Sequence, residues 1–446
     1  MLVPMDVTIL AVGGRGDVEP LAVLGRGLVQ AGHRVRLATH ALFEPLARRY
    51  GLEMALIEGN PRELLESPAG QRLAGSGANP IAFARGLRRL LGPLLETHFV
   101  NALEVCEGSD AIVKGVLAFP APHVAQHLRV PCFAALVQPA SPTREFADVT
   151  APQVKHAPGL LNLLSWHAGE QLLWLAFGET IDRIRRELLG LGPLPRRGPF
   201  RSSAIRRIPI LYGFSPSVVP KPRDWDSWTH VCGFWFSDTP AGWSPEPALV
   251  EFLEAGPPPV YVGFGSMPSM DDRKPAQLVL EALRRAGRRG VLASGWGALG
   301  PAEASGDVYV VNDVPHDWLF PHVTAVVHHG GPGTTASAMR AGRPAVVVPY
   351  GADNPFWGMR VAALGVGPAP IPRKKLTAER LAAALRATED VDMHARAAAL
   401  AARLRAEDGV ARAVEAFAHH LGLARRRRPG AERRRQASLA VASEAT

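Results

Sequence analysis

The chain has 446 residues, 47% of them hydrophobic, with a formal charge of +9 and three cysteines. That length suggests two or three domains with real cores, and no run reaches the roughly 18 uncharged apolar residues of a membrane span. Cys106, Cys132 and Cys232 are scattered and odd in number, which argues against a disulfide framework or a zinc site and for a reducing cytoplasm.

The opening MLVPMDVTILAVGG lacks a basic leader and carries Asp6, so it reads as a first strand rather than a signal peptide. Residues 7–12 form that strand, GGRGD (13–17) a turn, and Pro20 starts a helix. Its face is Leu21, Leu24, Leu28 and Ala31, and Gly32 ends it. A second strand over 35–39 completes a βαβ unit, whose strands pair in parallel. Further strands are expected at 54–57, 111–113, 132–135 and 209–212, with helices over 83–106 and 160–189. From Ser215 the chain turns proline-rich (Pro216, Pro220, Pro222) up to Pro259, which reads as a linker over 215–258. A second alternation follows, with strands at 260–263, 290–293, 308–311, 325–327 and 345–348. Helices are expected at 275–288, after Thr334, Pro355 and Thr377, and over 391–407. A terminal helix at 409–424 can pack back on the first domain.

The fold class is therefore α/β. Two doubly wound, Rossmann-like domains with parallel sheets, 1–214 and 259–408, face each other across a cleft. Residues 425–446 hold seven arginines against two glutamates and have no apolar periodicity. They read as a disordered basic tail, solvated or attracted to anionic lipid. No basic patch in the body is interleaved with aromatics, which argues against nucleic acid as a partner.

The stretch HHGGPGTTASAMRAGRP (328–344) places glycines between a strand and a helix. Backbone N–H groups at such a turn approach a ligand closely, and the helix N-terminus adds partial positive charge. Phosphate is the natural occupant. No Lys follows the last Gly, so this is not a Walker loop. Candidate donor contacts here are His329, Gly331, Gly333, Thr334 and Thr335. Asp353 and Asn354, past the next strand, suit adjacent sugar hydroxyls. Gly265 and Ser266 in GFGSM suit a second phosphate, Trp296 a stacked base, and the backbone of Val314 a base edge.

Assembled, these segments resemble the family 1 glycosyltransferases of the GT-B fold, most nearly the sterol 3β-glucosyltransferase branch. The carrying stretches are GGRGDVEPLAVLGRGL, LYGFSPSVVPKPRDW, PPPVYVGFGSM, VPHDWLFP and HHGGPGTTASAMRAGRP. The resemblance implies that His329 holds a diphosphate oxygen, Asp353 the sugar, and Asp17 serves as general base. Asn354 departs from the usual Gln, and Pro332 removes one N–H from the turn. The implied donor is UDP-glucose or a related nucleotide sugar, with no cofactor and no metal. The implied reaction inverts the anomeric centre. For the lipophilic acceptor, Phe119, His123, Trp166 and Trp174 are candidate walls. A sterol or terpenoid acceptor leads. A polyketide or macrolide acceptor, or a non-catalytic nucleotide-sugar-binding protein, is the alternative. A cytoplasmic enzyme completes the expectation, with peripheral membrane contact through the basic tail as the alternative to a solvated tail.

Overall fold

The computed structural model describes residues 4–60, 63–64, 67–68, 70, 80–151, 153, 157–195, 198, 207–264, 273–293 and 306–426. The first half runs β1 (Asp6–Leu10), α1 (Arg15–Gln30), β2 (Arg34–Thr39), α2 (Glu44–Arg49), β3 (Glu53–Leu56), α3 (Pro80–Leu91) and α4 (Leu95–Cys106). It continues with β4 (Ala111–Lys114), α5 (Ala121–Leu128), β5 (Cys132–Leu136), α6 (Gly159–Glu187), β6 (Ile210–Tyr212) and β7 (Thr229–Val231). Its strands form one parallel sheet in the order β3-β2-β1-β4-β5-β6-β7.

The second half runs α7 (Pro247–Glu254), β8 (Val260–Gly263), α8 (Arg273–Ala286), β9 (Gly290–Ala293), β10 (Val308–Val311), α9 (His316–Leu319) and β11 (Ala325–His328). Then come α10 (Pro332–Ala341), β12 (Ala345–Val347), α11 (Asn354–Ala363), α12 (Ala378–Ala387), α13 (Val391–Arg405) and α14 (Gly409–Arg426). This sheet is also parallel, in the order β10-β9-β8-β11-β12. Both sheets thus reverse direction beside their first strand, between β1 and β4 and between β8 and β11. Ligands of open α/β sheets bind at such reversals, beyond the carboxyl ends of the strands.

Three expectations need correction. The first helix starts at Arg15, not Pro20, because extended Gly14 caps it and Asp17 reaches back to the cap, so Pro20 lies inside the helix. The helix expected over 83–106 is two helices joined by a 3₁₀ turn at Gly92–Leu94. Pro93 in that turn has no N–H to continue the ladder. The proline-rich stretch 215–258 is more than a linker. It carries β7, which extends the first sheet, and then α7.

Leu21, Leu24 and Leu28 of α1 are buried at helical spacing against the first sheet. The same core takes in Ala413, Ala416, Phe417 and Leu421 of α14, so the last helix docks on the first domain. Phe417 is fully buried, its ring 4.4 Å from that of Phe133. The helix continues to Arg426, two residues into the stretch read as a tail; the rest of that stretch lies outside the described residues. No described helix is long and apolar enough to cross a membrane.

Phe417→Ala should cost about 3–5 kcal/mol, the scale for emptying a packed phenylalanine site. Urea unfolding measures it, and an unchanged midpoint would mean that α14 does not share the first domain's core.

Candidate active site

The turn after β1 brings a carboxylate to the cleft. Gly13 has φ +126°, and a Cβ on it would lie 2.5 Å from Asp17 Oδ2, so only glycine lets this side chain fold back over the turn. Asp17 Oδ2 accepts the Gly14 N–H at 3.0 Å, closing the helix cap. Capping uses one carboxylate oxygen only. Burial, and to a lesser extent the nearby charge of Asp353, raise the Asp17 pKa to about 6, against the lowering effect of the Gly14 hydrogen bond.

Asp353 comes from the second domain, at the start of α11. It does not cap its helix with its side chain. Instead its Oδ2 accepts the Trp357 indole N–H at 2.8 Å, one helical turn on. Burial raises its pKa to about 6 as well, partly offset by that bond. The preceding residue, Ala352, sits at φ +50°, a left-handed conformation that a non-glycine residue adopts at a cost.

The glycine turn lies alongside. Gly330 has φ +95°, and a Cβ there would come within 2.9 Å of the Asn354 carbonyl oxygen. The turn and the Asp353 loop therefore touch backbone to backbone. His328, at the end of β11, is fully buried and accepts the Gly330 N–H on Nδ1 at 3.0 Å. α10 then starts at Pro332 with Gly331 as its N-cap and no side-chain cap. The first intrahelical bond is Thr335 N–H to Gly331 C=O at 3.0 Å. The N–H groups of Gly331, Gly333 and Thr334 thus remain at the helix mouth, with the positive end of the helix dipole.

The His329 ring lies over Gly331, whose Cβ would be 2.5 Å from Nε2. Burial lowers its pKa to about 4, so the imidazole is neutral at pH 7. Nδ1 is buried with no partner among the described residues. An unpaired lone pair is the lesser penalty than an unpaired N–H. That favours the proton on Nε2, the nitrogen facing the helix mouth.

Other candidates lie elsewhere. The Thr335 hydroxyl is fully buried and donates to Gly331 C=O at 2.8 Å, so it shapes the turn and offers nothing to a ligand. Thr334 stays partly exposed on the first turn. Asn354 is buried, its Oδ1 turned to the Gly351 N–H at 3.5 Å, which ties it to its own loop. Val314 is partly buried just before α9. Gly265, Ser266 and Trp296 lie outside the described residues.

On the acceptor side, His123 is not a base or a pocket contact. It is buried, stacked on Phe99, with Nδ1 2.8 Å from the Arg185 guanidinium, and burial pushes its pKa down to about 3. Trp166 is buried too, donating to the Phe146 carbonyl at 3.0 Å, so it is core. Trp174 packs closely on Gly178 and stays partly buried. Phe119 is partly exposed, 6.3 Å from the Phe177 ring.

Residues missed in the sequence include His328, Trp357, Arg15 and Lys114. Trp357 stands four residues after Asp353, a spacing that meets on a helix and was legible. Arg15 Nη1 reaches Asp313 across the cleft at 3.2 Å, a contact between positions 298 apart with no sequence signal. Lys114 ends β4 on the rim of the first sheet, and burial lowers its pKa.

Residues 7–146 match the glycosyltransferase family 28 N-terminal domain, and residues 300–416 the erythromycin biosynthesis protein CIII-like C-terminal domain. The chain is 38% identical over 423 residues to sterol 3-beta-glucosyltransferase UGT80B1 of Arabidopsis thaliana, covering 94% of this chain and 68% of that protein. The chain belongs to the sterol 3-beta-glucosyltransferase family. Arabidopsis UGT80A2, another member, is 37% identical, with 94% of this chain and 66% of that protein covered. The Neosartorya fischeri member is 36% identical, and the chain spans only 30% of it. This family member therefore corresponds to about two thirds of its plant relatives and under a third of the fungal one. Among solved structures, the calicheamicin glycosyltransferase CalG4 superposes with a TM-score of 0.67 at 18% identity, over 94% of this chain and 99% of that one. VinC in complex with dTDP gives 0.61 at 18%, over 92% and 100%. These likenesses establish the GT-B fold for the family member.

Carboxyl-labelled NMR should find Asp17 titrating near pH 6, and Asp353→Asn should lower that value. Both carboxyls have folded pKa values above the unfolded 3.8. Their protonation thus favours the fold below that value, and the benefit is lost as pH rises through about 6. Asp17→Asn keeps an oxygen for the cap and should therefore melt higher than the parent at pH 8, with no difference near pH 3.5. An equal melting temperature at pH 8 would contradict the burial of charge.

Proposed function

We propose that the protein is an inverting glycosyltransferase. It moves a hexose, with glucose the leading choice, from a nucleotide-diphosphate sugar to the hydroxyl of a lipophilic acceptor. The uncapped mouth of α10 beside neutral His329, facing Asp17 across the cleft, carries this reading. The diphosphate rests on the N–H groups of Gly331, Gly333 and Thr334, with Nε2–H of His329 donating to one of its oxygens. Asp353 binds sugar hydroxyls. Asp17 accepts the acceptor's proton as its oxygen attacks the anomeric carbon. The C–O bond to the diphosphate breaks as the new one forms, through an oxocarbenium-like transition state. Charge growing on the leaving group meets donors already in place. One displacement inverts the centre, so an α-linked donor gives a β-glycoside. No metal or cofactor is required by this scheme, since the helix mouth and His329 meet the diphosphate charge.

A sterol or terpenoid is favoured as acceptor. Relatives named as sterol 3-beta-glucosyltransferases are 33–38% identical, whereas the natural-product transferases share 18–21% and speak to fold alone. The arginines of 425–446 are proposed to add attraction to anionic membrane surfaces.

Incubation with UDP-glucose and a panel of sterols in the presence of EDTA should yield β-glucosides. UDP binding without transfer to any sterol, terpenoid or polyketide would defeat the enzyme reading. Asp17→Asn should lose about 10²–10⁴-fold in kcat with UDP affinity intact. His329→Ala should weaken UDP binding about tenfold to hundredfold, the range for a hydrogen bond to a charged group. Since Asp17 must be ionised to act, kcat/KM should fall below about pH 6.

A further inference from the structure

Trp357 is the largest fully buried side chain among those described, and its one polar atom is spent on the Asp353 carboxylate. The ring is held on several sides. Within α11 it meets Phe356 at 5.4 Å. From the stretch that joins the two sheets it meets Phe214, just past β6, at 6.3 Å, and Phe234, just past β7, at 6.4 Å. Those two positions are linked in turn, since the Gly233 N–H donates to the Phe214 carbonyl at 3.0 Å. α11 is fastened to the same stretch by Arg360 Nε, which donates to the Val218 carbonyl at 2.9 Å. It is also pressed onto β12, where a Cβ on Gly358 would lie 3.1 Å from Val347 Cγ1.

Asp353, by contrast, stays partly exposed, and its side chain takes no part in capping α11. A carboxylate so placed can turn through several rotamers and present either oxygen. An indole N–H on Oδ2 at 2.8 Å, one helical turn on, removes that freedom and leaves Oδ1 for a ligand. A side chain fixed beforehand need not be ordered when the ligand binds, so affinity is gained. The bond also governs charge. It favours the ionised carboxylate, which accepts on both oxygens, against the burial that pushes its pKa up to about 6.

We propose that Trp357 is the positioning residue for the donor sugar. Its indole N–H fixes Asp353 with Oδ1 turned to the hexose hydroxyls. Its ring, gripped by Phe214 and Phe234, ties that presentation to the segment joining the two domains. The inference rests on Asp353 as the sugar ligand. UDP has no hexose for Asp353 to bind, so comparing UDP with UDP-glucose isolates the effect.

Trp357→Phe keeps an aromatic ring and removes the N–H. Calorimetry should find UDP-glucose bound about tenfold more weakly, the scale of one hydrogen bond to a charged group, with UDP affinity unchanged. KM for UDP-glucose should rise by a similar factor, with kcat reduced less. Carboxyl-labelled NMR should find Asp353 titrating above its parent value of about 6. Phe214→Leu leaves the N–H in place and loosens the clamp, so it should lower the preference for UDP-glucose over UDP by a smaller factor; full preference there removes the tie to the joining segment. A packing role alone would weaken both ligands alike and leave the Asp353 titration where it was, and that result overturns the proposal. The parent protein gives a reading that needs no variant. The Trp357 indole ¹⁵N–H resonance should move with UDP-glucose and not with UDP, and should titrate near pH 6. A resonance indifferent to both sugar and pH also overturns it. Asp353→Asn separates the two layers. If that variant binds UDP-glucose as the parent does, the reading of Asp353 as sugar ligand fails. If it weakens UDP-glucose and Trp357→Phe does not, the positioning role alone falls.

Discussion

The mouth of α10 sets the terms for the rest of the site. Its N–H groups at Gly331, Gly333 and Thr334 are left without a side-chain cap, at the end of the helix where the dipole is positive. Leaving such groups unmatched costs stability unless a ligand satisfies them. Each neighbouring peculiarity follows from holding that mouth open. Gly330 turns left-handed against Asn354, His328 is buried to grip the Gly330 N–H, and Thr335 uses its hydroxyl on the Gly331 carbonyl. Pro332 occupies the first helical position, where its missing N–H is least felt.

Across the cleft the first sheet supplies the complementary chemistry. Asp17 and Asp353 belong to different domains, yet the charge of one is felt by the other. Burial displaces both carboxyls upward to about pH 6, the range in which a carboxyl can hold or release a proton near neutrality. The register of the domains therefore matters as much as either site. Arg15 to Asp313 at 3.2 Å, and Arg360 to the Val218 carbonyl at 2.9 Å, bridge the halves. α14 returns to the first core and closes the circuit.

Much of this was legible in the sequence. The alternation of short apolar runs and helical faces revealed both sheets, and glycines at two strand ends marked the rims. Asp17, His329 and Asp353 stood out because each follows a strand at a turn. What failed was local. Pro20 masked a helix already begun at Arg15, since the Gly14 cap and Asp17 act through backbone geometry that composition does not display. His123 and Trp166 looked like pocket walls, but burial decides such residues, and burial depends on partners such as Arg185 and Phe146 far along the chain. β7 was hidden among prolines because an edge strand of three residues has no period to read.

The chemistry of the cleft turns on where a diphosphate sits. Titrating ¹⁵N-labelled protein with UDP and following backbone amides by NMR addresses this most directly. The largest shifts should fall on Gly331, Gly333 and Thr334, with the His329 side-chain N–H moving alongside them. Saturable UDP binding that leaves those three amides unmoved would contradict it.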